Sequence, residues 1–185
     1  MSPAGIHRRS RMRNAKLLAA VAALTLAAVS AAAAPARWRA ATPDELRRVI
    51  PARAPVVKEN IETEARTASG VVDGRGRFIA GVVMITAGYS AEGKYSHFFL
   101  TQVPLRVGDL ELPAGEYVFG YTRASDDTIR VSFYRAATGE HVGDAEARRS
   151  TRKGTGVRSL LVNPPAGGRA NIQIGRFLLE YRVTD

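Results

Sequence analysis

From Gly70 onward, polar and apolar residues take turns along the chain. Residues 128–134 place Ile129, Val131 and Phe133 on one face, and residues 116–122 place Tyr117, Phe119 and Tyr121 on one face. Near the C terminus Phe177, Leu179, Tyr181 and Val183 share a face, while Arg176, Glu180 and Arg182 take the other. A period of two with one polar face predicts half-buried antiparallel strands. Apolar, β-rich runs at residues 78–86, 95–101, 157–162 and 170–174 complete the set. Turn-forming residues fall between the runs: Asp73-Gly74, Glu92-Gly93, Gly108-Asp109, Pro113-Ala114-Gly115, Thr138-Gly139 and the stretch from Pro164 to Gly168. Short strands punctuated in this way predict an all-β, antiparallel sandwich over residues 70–185.

The first part of the chain follows other rules. Thr42-Pro43-Asp44-Glu45 carries a cap, a proline at the first helical position and a glutamate three residues after the cap. It predicts a helix over residues 43–50, stopped by Pro51. An extended arm is expected from there through Arg66, with a strand at residues 56–61. Residues 37–69 thus read as a short helix and arm leading into the sandwich.

Ahead of them, Arg8, Arg9, Arg11, Arg13 and Lys16 precede an apolar stretch from Leu17 to Val29 broken only by Thr25. Small residues follow, through Ala36. A basic segment, a short apolar segment and a small-residue exit describe a helical secretory signal peptide over residues 1–36. Small side chains stand one and three residues before two cut sites, so the exported chain is expected to start at Ala34 or Arg37. The competing reading is an uncleaved N-terminal anchor in the inner membrane, for which the alanine-dominated stretch sits near the lower length limit. Arg8-Arg9 is reminiscent of twin-arginine export, but Arg11 stands where that signal carries an apolar residue.

Composition changes meaning after that step. The 185 residues hold 27 Lys+Arg against 17 Asp+Glu, a net charge of +10. Export of residues 37–185 removes five basic residues and no acid, leaving a net of +5. The absence of cysteine excludes disulfides, thiolate metal sites and thiol nucleophiles. Twelve of the 13 aromatic residues lie between Phe78 and Tyr181, so the core is expected there, with Trp38 outside it.

The stretch Gly70-Val71-Val72-Asp73-Gly74-Arg75-Gly76-Arg77-Phe78-Ile79-Ala80-Gly81-Val82-Val83-Met84-Ile85 resembles the opening of carboxypeptidase-regulatory-like, or transthyretin-like, β-sandwich modules. Leu112-Pro113-Ala114-Gly115-Glu116-Tyr117 resembles the hairpin of the same modules, and one found in small secreted bacterial domains of unknown function. The resemblance covers about residues 70–122. It implies an accessory, adhesive or carbohydrate-facing role and no catalysis. Some 60 further residues with additional strands depart from the pattern.

Candidate chemistry is sparse. Ser96-His97 with His141 or Asp144 has the residue types of a hydrolase, yet adjacent strand residues point to opposite faces and are not expected to bond. His97, His141, Glu140 and Asp144 have metal-binding side chains, but an exposed turn histidine and a half-buried strand histidine account for them, and no metal or other cofactor is expected. Asp126-Asp127 reads as a turn between strands rather than a calcium loop. The glycines from Gly70 to Gly81 precede a strand, not the helix that a phosphate loop requires. Tyr117, Phe119 and Tyr121 form either a sugar-stacking platform or part of the core.

The densest charge is Arg148, Arg149, Arg152, Lys153 and Arg158, read either as a solvated hairpin or as a patch for an acidic polymer, a lipid headgroup or an acidic protein partner. No aromatic lies between Tyr134 and Phe177, so the cluster lacks base-stacking groups and nucleic acid is not an expected partner. The expectation is therefore an exported, non-catalytic binding or accessory module of the bacterial periplasm or cell surface. The alternatives are a structural envelope protein acting through the basic hairpin, and a small hydrolase.

Overall fold

Alternation becomes layered structure in the computed structural model, which describes residues 37–184 apart from 153 and 155. The expected signal peptide lies outside the described residues. The strands are β1 (Arg39–Ala40), β2 (Arg53–Val56), β3 (Glu59–Glu62), β4 (Ser69–Val72), β5 (Phe78–Val83), β6 (His97–Thr101) and β7 (Leu105–Val107). They continue as β8 (Leu110–Leu112), β9 (Gly115–Arg123), β10 (Thr128–Arg135), β11 (His141–Arg149), β12 (Arg158–Val162), β13 (Arg169–Gly175) and β14 (Phe177–Val183). One α-helix, α1 (Pro43–Val49), and a 3₁₀ turn at Ala65–Thr67 are the helical elements among the described residues.

Twelve strands join one antiparallel sheet in the order β1-β4-β5-β6-β9-β10-β11-β14-β13-β12. β11 pairs with the start of β14 and β7 with its end, and β8 extends β7. The sheet folds over on itself as an all-β sandwich. Its last strand, β12, reaches β4 near the other end: the Val162 N–H donates to Ser69 Oγ at 2.9 Å. A side chain at Gly81 would be crowded, within 3.0 Å of both Leu160 and the Phe98 carbonyl oxygen.

Between the layers lies the main core. Val71, Ile79, Phe99, Tyr117, Phe119, Val131, Phe133, Ile172, Leu179 and Tyr181 are among its fully or almost fully buried members. The residues predicted to face inward do so on β10 and β14, and polar Arg130, Glu180 and Arg182 face solvent. The Leu112–Tyr117 hairpin gains its rigidity from inside: the Tyr117 hydroxyl donates to the Pro113 carbonyl at 2.5 Å and accepts from Arg135 at 3.2 Å. A side chain at Gly120 would overlap the carbonyl oxygen of Lys94, so only glycine lets the loop before β6 lie on β9.

A second core covers the other face of β5, β6 and β9. Ala80, Val82, Phe98, Leu100 and Val118 meet Leu46 and Ile50 from the helical segment, Ala54, Val56 and Ile61 from the arm, and Ala91 and Tyr95 from the following loop. The arm is therefore not extended as expected. Residues 53–62 fold back as the β2–β3 hairpin, with Ala54 opposite Ile61. Burial drives this, at roughly 1.5–3 kcal/mol for each large apolar side chain removed from water. It holds Val57 at φ 56°, a left-handed conformation that β-branched residues disfavour. The helix start is as predicted: Thr42 Oγ1 accepts from the Glu45 N–H, and Glu45 accepts from the Thr42 N–H at 2.8 Å. Glu45 also pairs with Arg39 at 2.6 Å; that guanidinium, then the Thr42 N–H, holds its carboxyl at about 2.

The glycine-rich stretch is a hairpin turn between β4 and β5, organised by Asp73. This buried carboxylate accepts from the Arg75 N–H, the Arg77 N–H and the Arg77 Nε–H, at 2.9, 2.8 and 2.8 Å. Burial pushes its pKa up, but the Arg77 and Arg75 donors together outweigh that and hold it below the ordinary value. Asp73→Ala is expected to cost about 2–3 kcal/mol, read as a lower midpoint in urea unfolding. Because the folded pKa is depressed, the stabilisation is present above the ordinary carboxylate range and disappears as acid protonates the group. An unchanged midpoint would show that the turn forms without Asp73.

Candidate functional site

The Ser96–His97 pair is closer than alternation predicted. Ser96 stands one residue before β6, and its hydroxyl lies 2.8 Å from His97 Nδ1, correcting the expectation that the two cannot bond. On the far side of the ring, Nε2 faces the Ser159 carbonyl at 3.4 Å. A carbonyl only accepts, so Nε2 carries the proton and Nδ1 accepts from Ser96. The imidazole is 3% exposed and stacks on Phe119 at 4.5 Å with an interplanar angle of 6°. Burial lowers its pKa to about 4, the Ser159 bond opposing only part of that. A base that weak draws little on a serine proton near neutral pH. What the pair does achieve is a tie from β6 to β12 across the sandwich.

His141 and Asp144 pair with each other, at 2.9 Å, on the exposed side of β11. Hydrogen bonds from Ser132 first, then His141, hold the Asp144 carboxyl below its ordinary value. Among the described residues, no three histidine or carboxylate side chains converge in a metal-binding group. Asp126 and Asp127 form the turn from β9 to β10, where the Asp127 carbonyl accepts from the Arg149 N–H at 2.8 Å. The aromatic platform does not exist as a unit. Tyr117 and Phe119 are fully buried core residues, and only Tyr121, 48% exposed beyond the end of the core, faces water.

The basic residues take a different position. Strand β11 turns Ala145 and Ala147 inward, so Asp144, Glu146 and Arg148 face out. Arg148 contacts Glu146 at 3.0 Å while remaining 81% exposed, and Arg149 lies 3.7 Å from Asp127. On the outer side of β13, Gln173 donates to the carbonyls of Gly156 and Gly175 at 2.6 and 2.9 Å. A hollow of about 540 Å³ lies beside the end of β11, lined by Arg148, Arg149, Arg152, Glu146, Leu178 and Glu180, among others. Arg158 begins β12 and is exposed; Lys153 lies outside the described residues.

Three further arginines share this outer side and escaped sequence reading: Arg106 on β7, Arg182 on β14 and Arg169 on β13. They are 63 and 13 residues apart in pairs along the chain, so no local charge count signals them. Only the strand order brings them together. Among the described residues no helix is long and apolar enough to cross a membrane. No model of a known protein family matches the chain, and neither a curated protein nor a solved structure does.

Proposed function

We propose that this chain is an exported, non-catalytic β-sandwich module that binds an anionic component of the cell envelope through its arginine-bearing outer face. One contrast carries the reading. The titratable groups inside the fold are committed to the fold: Asp73 to its turn, His97 to Ser96 and Ser159, Tyr117 to Pro113, and Tyr181 to the Asn163 carbonyl at 2.7 Å. Cationic groups, in contrast, stand exposed around a concavity beside the turn after β11. Exposed guanidinium groups around a hollow favour carboxylate or phosphate ligands, which they can engage with two parallel hydrogen bonds. The N-terminal signal pattern supports export, and the resemblance of residues 70–122 to accessory modules supports a binding role.

The test has two parts. Cell fractionation followed by intact mass is expected to find the protein outside the cytoplasm, starting at Ala34 or Arg37. The purified protein is expected to bind anionic vesicles or acidic polymer with an affinity that falls steeply as salt is added. The triple substitution Arg148→Ala, Arg149→Ala, Arg158→Ala is expected to weaken that binding by about tenfold or more. Cytoplasmic location with an intact N terminus, or binding insensitive to salt, would contradict the proposal.

A further inference from the structure

The antiparallel register sets Arg106 directly opposite Arg182, and Arg182 directly opposite Arg169. All three are exposed and point outward, because their neighbours Leu105, Val107, Ile172, Leu179 and Tyr181 fill the core. Adjacent strands lie about 4.8 Å apart, so three cationic side chains cross the face within about 10 Å. Like charges placed directly opposite on a sheet repel one another. Glu111 relieves the row at one end, 2.8 Å from Arg106. Arg182 and Arg169 have no carboxylate within ion-pair distance among the described residues.

A hollow of about 450 Å³ lies along this row and includes Asp109, Asn171 and Glu180. Asn171 accepts through Oδ1 from Asn163 Nδ2 at 2.8 Å, which leaves its own NH₂ group to donate into the hollow. Gly108 and Glu180 line this hollow and also the one beside the β11 turn. The two concavities are therefore neighbours on one face. A single anion fills one of them; a chain can fill both.

The charges along this track are mixed, and that selects among chains. Glu146, Glu180 and Asp109 line the same hollows as the arginines and offer acceptors there. A polyphosphate, which offers anionic oxygens along its whole length and no hydroxyl donors, would press against those carboxylates. A chain whose anionic groups alternate with hydroxyls satisfies both kinds of group, its carboxylates meeting arginine and its hydroxyls donating to Glu180 and Asp109. A flat membrane surface does not conform to two adjoining concavities. We infer that the two hollows form one track for a linear acidic polysaccharide, with Arg169 and Arg182 holding one segment and Arg148 and Arg149 the next. This inference rests on the proposed binding role and specifies its ligand.

Calorimetric titration of the purified protein with galacturonate oligomers of increasing length tests it. Affinity is expected to rise with length and then level off once both hollows are filled. The pair Arg169→Gln, Arg182→Gln and the pair Arg148→Gln, Arg149→Gln are each expected to reduce long-oligomer affinity about tenfold or more and to flatten its dependence on length. Thermal melts of these variants are expected to match the parent, since the four side chains lie on the surface. Arg→Lys versions, which keep charge but lose the fork, are expected to recover only part of the binding. Polyphosphate or anionic vesicles bound more tightly than the long oligomer would overturn the inference and leave the anionic-binding proposal standing. So would affinity independent of length, or loss from only one of the two pairs. Absence of salt-sensitive binding to any of these anions would overturn both.

Discussion

Phe119→Ala is expected to lower the stability of the fold by about 4 kcal/mol, within the range for deleting a buried aromatic ring. Phe119 is the shared member of the aromatic cluster between the layers. Its ring stacks on His97, tilts against Phe133 at 5.3 Å and meets the edge of Phe99 at 6.4 Å. Truncation leaves a cavity that three rigid neighbours cannot collapse into, and it uncovers the imidazole that ties β6 to β12. For a chain of this size the loss corresponds to a melting temperature lower by about 8–16 °C. Tyr121→Ala, two residues along the same face, is expected to change stability by no more than about 0.5 kcal/mol, because that ring is half exposed. Equal effects from the two substitutions would mean that Phe119 is not a core residue.

The second large effect is a loss of stability on acidification. His97 is neutral in the fold, with its pKa lowered from 6.5 to about 4 by burial. Unfolding exposes the ring and restores the ordinary value, so between those limits the unfolded chain binds more protons than the folded one. Stability from this group is complete above about pH 6.5 and falls as the pH drops toward 4, by about 3 kcal/mol in all. Chemical unfolding measured across this range checks it. His97→Gln, which cannot take up the proton, is expected to flatten the slope between pH 6.5 and 4 while leaving the carboxylate-driven loss at lower pH. An unchanged slope in the variant would place the titrating group elsewhere.

Where alternation was carried by large side chains, it was readable. Ile129, Val131 and Phe133 announced β10, and Leu179 with Tyr181 announced β14. Strand β11 went unread because its inward residues are Ala145 and Ala147, too small to mark an apolar face beside Asp144, Glu146 and Arg148. The β2–β3 hairpin went unread because its turn is Val57-Lys58, without the glycine or asparagine that such turns favour. Burial of Val56 and Ile61 in the second core overrides that local preference.

The proposed binding face divides in the same way. Arg148, Arg149, Arg152 and Arg158 are close in sequence and were legible as a cluster. The row of Arg106, Arg182 and Arg169 is a product of register across three strands. Ser96 and His97 illustrate the opposite error: strict alternation forbade a contact that the irregular start of β6 permits.

The central claim is that one arginine-bearing outer face, and not the helix side of the sandwich, receives an anionic chain. Nuclear magnetic resonance of the isotope-labelled protein titrated with a long galacturonate oligomer tests it most directly. The account predicts shifts in the side-chain Nε–H signals of Arg106, Arg148, Arg149, Arg169 and Arg182 and in the backbone of β7, β13 and β14. Signals of α1 and the β2–β3 hairpin stay in place. Shifts confined to α1 and that hairpin, or no shifts at all, would contradict it.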